Sequence, residues 1–408
     1  MNHLRKVAVV ASIVLWTCSS VFAVDWPQFR GPTRNGQSPE TGLMKSWPEG
    51  GPKELWSFEG LGQGYASIAV ADGLVYTTGM VGSEGILFAF DLNGNLKWKF
   101  NYGPEWTGDR PGTRTTPTID GDRLYLMSGM GRIDCRNAKT GEPIWHKDTL
   151  QEFNGKNISW GIAESILIEN EKAICTPGGQ DATVVALNKM TGETIWTTKG
   201  LSESSAYCSP AVITRGPNRI ILTMVQQSIV GIDMKTGTVL WKHPNKVSYD
   251  ISAVTPAYEN GMMYVTNGYR HGGHMFELSA DGTASAKKWS EKSLDVHHGG
   301  VLLIDGNIHG ASTGGTWTCI EPASGKVKFT DKLVGKGSGI YVEGLLYCYG
   351  ERDGDVGLVK INPAAYETVS SFRITKGSKE HWAHPAISDG RLYIRHGEVL
   401  MCYDIKAK

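Results

Sequence analysis

The sequence lacks the features of a membrane-spanning, nucleic-acid-binding or helical protein. Its 41 basic residues equal its 41 acidic residues, so no net charge favours a nucleic acid or an anionic membrane surface as partner. After residue 23 no apolar run is long enough to cross a bilayer. Helix signals are sparse, whereas 51 glycines and frequent turn dipeptides occur along the chain. The composition therefore indicates an all-β protein without a transmembrane segment.

Cysteine is scarce, and no two of the seven cysteines are adjacent. Six follow residue 23, and an even number in an exported protein raises the question of disulfides. A short hairpin pattern recurs along the chain, and its first position holds alanine or glycine in some copies. Three of the six cysteines occupy this position in other copies: Cys135, Cys319 and Cys402. Such positions lie too far apart for the roughly 4.4 to 6.8 Å Cα separation of a disulfide. We therefore expect all six to be reduced.

The sequence also lacks the short motifs of common catalytic and metal sites. No serine nucleophile elbow, phosphate loop or glycine fingerprint occurs between a strand and a helix. Histidines cluster in three pairs without a carboxylate or cysteine at zinc-ligand spacing: His271 and His274, His297 and His298, and His381 and His384. We therefore expect no metal site.

The first 23 residues have the pattern of a secretory signal peptide. A basic start with His3, Arg5 and Lys6 precedes an apolar segment and a small-residue cleavage site that ends at Ala23. The apolar segment is too short for a membrane span. The pattern therefore predicts export to the periplasm or the extracellular space.

One short pattern recurs along the chain at a period of roughly 40 to 50 residues. In each copy a small, a hydrophobic and a polar residue lead into a glycine turn, and an aromatic ring follows four residues after the glycine. A strand, a glycine turn and a second strand with a large ring are typical of a β-hairpin. The copies are AFDLNGNLKW from Ala89, CRNAKTGEPIW from Cys135, ALNKMTGETIW from Ala186, GIDMKTGTVLW from Gly231 and CIEPASGKVKF from Cys319.

Two sets of eight positions give the number of repeats. One set enters the second strand of each unit: Tyr76, Tyr125, Ile174, Ile221, Tyr264, His309, Tyr347 and Tyr393. The other set is the ring of the closing strand: Trp56, Trp98, Trp145, Trp196, Trp241, Trp289, Phe329 and Phe372. Because Trp56 precedes the first complete unit and the last unit has no closing strand, we expect the strand Leu55 to Phe58 to complete the last unit. The pattern predicts an eight-bladed β-propeller over residues 55–408, with four-stranded antiparallel blades and closure by pairing of N- and C-terminal strands.

Residues 24–54, between the leader and the propeller, are rich in proline and glycine and have no sustained period. Their aromatic residues need a surface to bury them, so we interpret the segment as an ordered strap. Arg30 and Arg34 within it are expected to pair with surface carboxylates, the alternative being contact with a ligand.

The repeat register also locates a candidate binding site. The innermost strand of each blade begins near the central channel, so the residues just before those strands surround one mouth. Counting back eleven residues from seven of the second-strand positions, and matching Ser209-Pro210 to Thr116-Pro117 in the fourth unit, gives a ring of eight: Tyr65, Arg114, Ala163, Tyr207, Ala253, His298, Lys336 and Trp382. The six cationic or aromatic members are predicted to bind a cofactor or another flat anion, the alternative being a hydrated channel mouth: Tyr65, Arg114, Tyr207, His298, Lys336 and Trp382.

Two further features belong to this mouth. Glu164, one residue past the ring, is the candidate catalytic base or cation ligand, the alternative being an ion pair with Arg114. The longest inter-blade loops, Asn101 to Thr113 and Gln151 to Ser159, are expected to overhang an opening.

The motifs ALNKMTGETIW and GIDMKTGTVLW resemble the tryptophan-docking repeats of propellers of the pyrroloquinoline quinone (PQQ) dehydrogenase type. The resemblance covers nearly all of residues 56–408, and WPQFRGPTRNG, from Trp26, resembles the start of exported PQQ-like repeat proteins. It implies an eight-bladed propeller and raises PQQ with a divalent cation as a cofactor. The quinoprotein enzymes carry a vicinal cysteine pair beside PQQ, which this sequence lacks. In size the chain is similar to the propeller lipoprotein of the outer-membrane β-barrel assembly machinery, a scaffold without enzymatic activity.

Three functions follow, and the fold alone does not choose among them. The first is an exported, monomeric PQQ-like propeller that binds a small anionic ligand or an envelope protein partner at its channel mouth. The second is a PQQ-dependent alcohol or sugar dehydrogenase. The third is a scaffold for envelope assembly.

Overall fold

The computed structural model describes residues 24–407, and the predicted signal peptide lies outside this range. Nearly all of the described chain is β-structure, arranged in eight four-stranded antiparallel blades. The two short helices of this range are Thr149–Glu152 and the 3₁₀ turn Ser248–Asp250. No helix between residues 24 and 407 has the length and apolar character needed to span a membrane. The predicted eight-bladed propeller is confirmed.

The four strands of each blade follow one another from the central channel outwards. Blade 1 contains Ala69–Ala71, Leu74–Val81, Glu84–Asp91 and Leu96–Pro104, and blade 2 contains Thr118–Asp120, Arg123–Met127, Arg132–Asn137 and Pro143–Asp148. Blade 3 contains Leu167–Glu169, Lys172–Cys175, Val185–Asn188 and Thr194–Thr197, and blade 4 contains Ala211–Arg215, Asn218–Val225, Ser228–Asp233 and Val239–Pro244. Blade 5 contains Ala257–Glu259, Met262–Asn267, Gly272–Leu278 and Ser285–Glu291, and blade 6 contains Val301–Ile304, Asn307–Ala311, Trp317–Ile320 and Val327–Asp331. Blade 7 contains Gly337–Val342, Leu345–Gly350, Asp355–Asn362 and Ala365–Arg373, and blade 8 contains Ala386–Ser388, Arg391–His396, Val399–Asp404 and Lys53–Glu59.

Blade 8 is assembled from both ends of the described chain. Its outermost strand, Lys53–Glu59, pairs antiparallel with Val399–Asp404 and sets Trp56 opposite Cys402. The predicted closing strand is confirmed and extends slightly beyond its expected bounds. With this strand the last blade has four strands, as the other blades do, and the outer edge of Val399–Asp404 is paired.

A large ring in the outermost strand of each blade packs against the next blade. Six indoles donate Nε1–H to a backbone carbonyl of that blade at 2.8–3.2 Å: Trp56 to Leu92, Trp98 to Lys139, Trp145 to Lys189, Trp196 to Met234, Trp241 to Gly282 and Trp289 to Pro322. A Cβ added to Gly94 would come within 2.5 Å of the Trp56 ring. The glycine in the repeat is therefore required by the ring of the preceding blade.

Residues 24–47 precede the closing strand, and we call them the central plug because most of their contacts are with the innermost strands of the propeller. The plug bonds to the innermost hairpins of several blades, among them Trp26 to Val70 of blade 1, Pro27 to Ile119 of blade 2, the short strand Gln37–Ser38 to Gly337–Val342 of blade 7, and Glu40 to Gly390 of blade 8. Trp26, Leu43 and Trp47 are buried in one hydrophobic cluster with residues of blades 1, 7 and 8.

Arg30 and Arg34 lie inside the channel and are only 4% and 3% exposed. Arg30 donates to the carbonyl of Val301 at 2.5 Å, and Arg34 donates to the carbonyls of Ser165 and Pro210 at 3.0 Å each. The expectation of surface ion pairs is therefore wrong, because the strap runs through the channel and not over the surface. Burial lowers the pKa of each guanidinium to about 10, so both remain charged at neutral pH.

The six cysteines between residues 24 and 407 are buried, and none of them forms a disulfide. Cys135, Cys319 and Cys402 lie in the third strands of blades 2, 6 and 8, as the repeat register places them. They pack as small apolar residues, as expected from the alanine and glycine found at the same position elsewhere.

Candidate functional site

A row of hydroxyl side chains joins blades 1 to 4 below one mouth of the channel. The backbone N–H of Ser67 donates to Thr116 Oγ1, that of Thr116 to Ser165 Oγ, and that of Ser165 to Ser209 Oγ, at 3.0–3.2 Å. These bonds hold the starts of the innermost strands of blades 1 to 4 in one register. Residues two positions earlier in each blade therefore reach the same level of the channel.

In blade 6 the equivalent position is Gly300. A Cβ on Gly300 would lie 1.7 Å from Nη1 of Arg30, so glycine leaves room for the guanidinium of the plug. Arg30 donates to the carbonyl of the adjacent Val301 and so links the plug to blade 6.

A cavity of about 220 Å³, which we call the cup, opens at this mouth. Its inner end is formed by Phe29 of the plug and by His384, whose rings lie 5.0 Å apart. Seven of the eight residues of the predicted ring line it: Tyr65, Arg114, Ala163, Tyr207, Ala253, His298 and Trp382. The structure thus brings together residues that are spread over most of the chain.

Several residues that line the cup were missed by the repeat register, among them Arg110, Trp160 and Tyr269. Arg110 lies in the long loop between blades 1 and 2, and Trp160 follows the long loop between blades 2 and 3. The sequence could have indicated these two residues through the lengths of the two loops, since both loops were expected to overhang an opening.

Aromatic rings form much of the cup wall. Tyr65 and Trp382 lie 4.8 Å apart between ring centroids, and Trp160 and Tyr207 lie 6.1 Å apart. Burial raises the pKa of Tyr65 and of Tyr207 to about 12, so both phenols are uncharged at neutral pH. These rings offer flat faces on which a planar group or the face of a sugar can stack.

Arg114 supplies the positive charge of the cup wall. Its guanidinium carbon lies 5.7 Å from the Tyr65 ring centroid, and its Nη1 donates to the Gly112 carbonyl at 2.7 Å. Arg110, by contrast, pairs with Glu380 at 2.7 Å. Among the ion pairs formed by residues 24–407, none involves Arg114. Its charge is thus available to a ligand, although burial lowers its pKa from the ordinary value.

Lys336 is close to the cup but does not line it, because Glu351 holds it back. Its Nζ donates to Glu351 Oε1 at 2.9 Å and lies 3.0 Å from His297 Nδ1. The same carboxylate accepts the indole N–H of Trp382 at 2.9 Å and lies 3.2 Å from His298 Nε2. Burial opposes ionisation of Glu351, but its contacts with His298 and Lys336 keep its pKa well below the usual range. Sequence analysis missed this carboxylate, which positions three of the six predicted residues.

His384 and His297 are uncharged at neutral pH. Burial, with the nearby charge of Arg30, lowers the pKa of His384 to about 3, and burial with His298 and Lys336 lowers that of His297 to about 3. His384 Nε2 donates to the carbonyl of His298 at 2.9 Å. Nowhere in residues 24–407 do three or more His, Cys, Asp or Glu side chains form a group able to hold a metal ion.

Glu164 lies behind the wall of the cup. Its neighbours Ala163 and Ser165 line the cup, whereas the Glu164 side chain is fully buried and accepts the Thr176 N–H at 2.9 Å. The expected ion pair with Arg114 is not formed, because alternate residues of this extended stretch face opposite directions. Burial raises the pKa of Glu164 to about 8, so the carboxyl group is mostly protonated at neutral pH.

Replacing Glu164 by glutamine is expected to flatten the pH dependence of stability. The folded-state pKa of about 8 exceeds the ordinary 4.5, so the folded protein keeps a proton that the unfolded chain releases. The free energy of unfolding should therefore fall as pH rises from about 4.5 to 8, and Glu164→Gln should remove that part of the slope. Urea denaturation at pH 5 and pH 8 measures the change in the free energy of unfolding. Glu259→Gln is the control, because Glu259 is an exposed carboxylate in blade 5. Equal slopes in wild type and Glu164→Gln would contradict the assignment.

Comparison with known proteins shows which kind of propeller this is. A family model described as outer membrane protein assembly factor BamB, of the PQQ-repeat type, matches residues 48–159 and 83–331. The chain belongs to the PQQ-like β-propeller family. The resemblance seen in the repeats is thereby confirmed.

Curated relatives of this PQQ-like propeller fall into two functional groups. The quinoprotein ethanol dehydrogenase of Pseudomonas aeruginosa is 22% identical over 236 residues, which are 52% of this chain and 35% of the relative. Outer membrane protein assembly factor BamB of Shewanella oneidensis is 21% identical over 239 residues, 54% of this chain and 57% of the relative. The chain therefore matches less than two thirds of the length of either relative.

Solved structures from both groups share the fold. BamB from Moraxella catarrhalis has a TM-score of 0.63 at 17% identity and covers 86% of this chain and 99% of that one. Quinohemoprotein alcohol dehydrogenase from Comamonas testosteroni has a TM-score of 0.68 at 14% identity and covers 94% and 81%. At these identities the likeness establishes the propeller and no activity.

The residues of the cup do not fit PQQ with a divalent cation. PQQ is a flat tricarboxylate, whereas the described cup offers one guanidinium without a carboxylate partner, that of Arg114, and Lys336 is bonded to Glu351. A hard divalent cation prefers carboxylate oxygens. Glu164 is buried behind the wall, and Glu351 is engaged by its three partners. The donors of the cup therefore suit a ligand with fewer negative charges than the three of PQQ.

Proposed function

We propose that this PQQ-like propeller is a binding protein whose cup holds a small sugar acid with one carboxylate. The observation that carries the proposal is Arg114, a partly buried guanidinium without a carboxylate partner in the described chain, set among aromatic rings. A buried charge is costly unless it is compensated, so a carboxylate that enters gains a charge-assisted hydrogen bond. The neighbouring rings of Tyr65 and Trp382 supply a surface for the apolar face of the sugar.

We further propose that the protein acts in the cell envelope after export. The signal-peptide pattern of residues 1–23 and the match to outer membrane protein assembly factors support this location. A binding role also agrees with the absence of a fit to PQQ in the cup. Quinoprotein chemistry is therefore not part of the proposal.

Calorimetric titration of the purified protein with D-glucuronate, its methyl ester and PQQ tests the proposal. The ester keeps the sugar ring and removes the charge, so it should bind at least about tenfold more weakly than the acid. The proposal fails if the acid does not bind at millimolar concentration, if the ester binds equally well, or if PQQ binds more tightly than the sugar acid.

Replacing Arg114 by methionine is expected to weaken glucuronate binding by about tenfold or more, because one charge-assisted hydrogen bond contributes ~1.5–3 kcal/mol. The melting temperature should change little, since Arg114 bonds only to carbonyls of its own loop. Arg352→Met is the matched control, because it removes a positive charge from an exposed turn outside the cup. Similar losses of affinity in both variants would show a nonspecific charge effect.

A further inference from the structure

A second cavity, which we call the groove, lies at the seam between blades 8 and 1 and is about three times as large as the cup, at about 670 Å³. It shares two lining residues with the cup, Tyr65 and Arg110. Its walls come from residues 60–65, from the end of the second strand of blade 1, and from the loops around Glu380 and Glu398. Cup and groove therefore meet at Tyr65 and Arg110.

Glycines keep the groove open. Five lining residues are glycines: Gly60, Gly62, Gly64, Gly82 and Gly397. A Cβ added to Gly60 or Gly82 would meet no atom within 4 Å, so these two positions face open space. A Cβ on Gly62 would approach the Met80 carbonyl to 2.2 Å, so this segment packs backbone against backbone. The result is a trench that side chains leave unfilled.

The groove is lined by both hydrogen-bond acceptors and donors. The carboxylates of Asp109, Glu380 and Glu398 line it together with Lys379 and the hydroxyl of Ser378. The indole N–H of Trp160 lowers the pKa of Asp109, and the hydroxyl of Ser378, against the effect of burial, lowers that of Glu398. Ionised carboxylates beside donors bind hydroxyl groups and repel further anions.

Glu380 lies at the junction of the two cavities. Its carboxylate accepts from Arg110 at 2.7 Å and from the Tyr65 hydroxyl at 3.2 Å. Arg110 also lies over the Trp382 ring, 5.8 Å from its centroid. The aromatic platform of the cup is thus connected directly to the polar trench, and the Arg110–Glu380 pair is exposed enough to exchange its bonds with a ligand hydroxyl.

We propose that the groove binds the neutral sugar units of an oligosaccharide whose terminal sugar acid occupies the cup. The inference rests on the proposed function, because Arg114 must hold the acidic end. The three carboxylates of the groove outnumber its two cations, Arg110 and Lys379, which disfavours a polyanionic chain, and its donors and acceptors suit the hydroxyl groups of neutral sugars. The ligand class is therefore a linear glycan with one acidic end.

Titration with three probes tests the proposal: D-glucuronate, a tetrasaccharide of three β-linked glucose units that ends in glucuronate, and the neutral glucose tetrasaccharide. The acidic tetrasaccharide should bind at least about tenfold more tightly than glucuronate, because the additional sugars make hydrogen bonds in the groove. The neutral tetrasaccharide should bind more weakly than the acidic one, because it lacks the contact with Arg114.

A substitution at Val81 separates groove from cup. Val81 lines the groove and is 54% exposed, so Val81→Trp places an indole ring in the groove without changing a buried residue. The variant should lose the tenfold advantage of the acidic tetrasaccharide and keep its affinity for glucuronate. Val327→Trp, at a 43% exposed position on the outermost strand of blade 6, is the control and should bind all probes as wild type does.

The outcomes distinguish the two proposals. If glucuronate binds and the acidic tetrasaccharide binds no more tightly, the groove proposal is overturned and the cup remains a sugar-acid site. An unchanged tetrasaccharide affinity in Val81→Trp also overturns it. If no acidic probe binds, the proposed function fails and the groove proposal fails with it.

Discussion

Replacing Arg34 by methionine is expected to lower the free energy of unfolding by about 3 to 5 kcal/mol. From the plug, the Arg34 guanidinium donates to carbonyls at Ser165 and Ile166 before blade 3 and at Pro210 before blade 4. Methionine has a similar length but donates no hydrogen bond, so these carbonyls lose a partner inside the channel. An unsatisfied buried carbonyl costs about 1 to 3 kcal/mol.

Urea denaturation of wild type and variant measures this loss. Arg219→Met is the control, since Arg219 is 41% exposed and pairs with Glu169 on the surface, an interaction that typically contributes less than about 1 kcal/mol. Arg34→Lys should be intermediate, because an ammonium group keeps the charge and reaches fewer carbonyls. If Arg34→Met and Arg219→Met lose the same small amount, the plug does not stabilise the ring as described.

Replacing Trp56 by alanine is expected to cost about 3 to 5 kcal/mol of stability and to promote self-association. The Trp56 ring packs over Gly94, and its N–H donates to the Leu92 carbonyl at 2.9 Å, so its loss opens a cavity between blades 8 and 1. The strand that carries it pairs with Val399–Asp404 of blade 8 but is separated from that strand by most of the chain. Fraying of this strand would expose the edge of Val399–Asp404 to another molecule.

Thermal denaturation and size-exclusion chromatography together test this expectation. Trp145→Ala is a matched control, because Trp145 makes the same two contacts with Lys189 and Gly192 at an internal seam. It should lose similar stability and stay monomeric, since its strand follows its neighbour directly in the chain. A variant that lacks residues 24–58 should associate more strongly still. A monomeric truncation with an unchanged melting temperature would refute closure by the N-terminal strand.

The propeller could be predicted because each contact between blades depends on a glycine and an aromatic ring that belong to one short repeated pattern. The ring of Trp56 requires the missing Cβ of Gly94, and the same requirement recurs at Trp145 and Gly192. Each copy of the pattern therefore corresponds to one interface between neighbouring blades. Counting the copies gave the number of blades, and the unmatched copy at Trp56 gave the closure.

The position of the candidate site could be predicted only as far as the repeat register extends. Tyr65 and Trp382 were found because they precede innermost strands, whose starts are held at one level. Glu351 and Glu380 were missed because they lie in loops whose lengths differ from blade to blade. Glu164 was misplaced because a count of residues does not decide which of two successive side chains faces the channel.

The course of the plug could not be predicted from the sequence. Arg30 and Arg34 adopt φ of 61° and 58°, in the left-handed region that arginine rarely enters. Tertiary contacts with Val301 and Pro210 impose this conformation, and neither partner is near in sequence. A segment without a period offers no local pattern from which such contacts follow.

The plug and the closing strand also affect how quickly the native state is reached. Ser38 pairs with Val342 and Trp56 with Cys402, so residues near the N-terminus find their partners only after the last blades exist. Contacts between such distant parts of a chain slow folding, because a long loop must close before they form. Until then the forming ring has a hollow centre and an unpaired sheet edge, which are the surfaces from which aggregation begins. While such a chain folds, contact with other copies of itself therefore favours aggregation over closure of the ring.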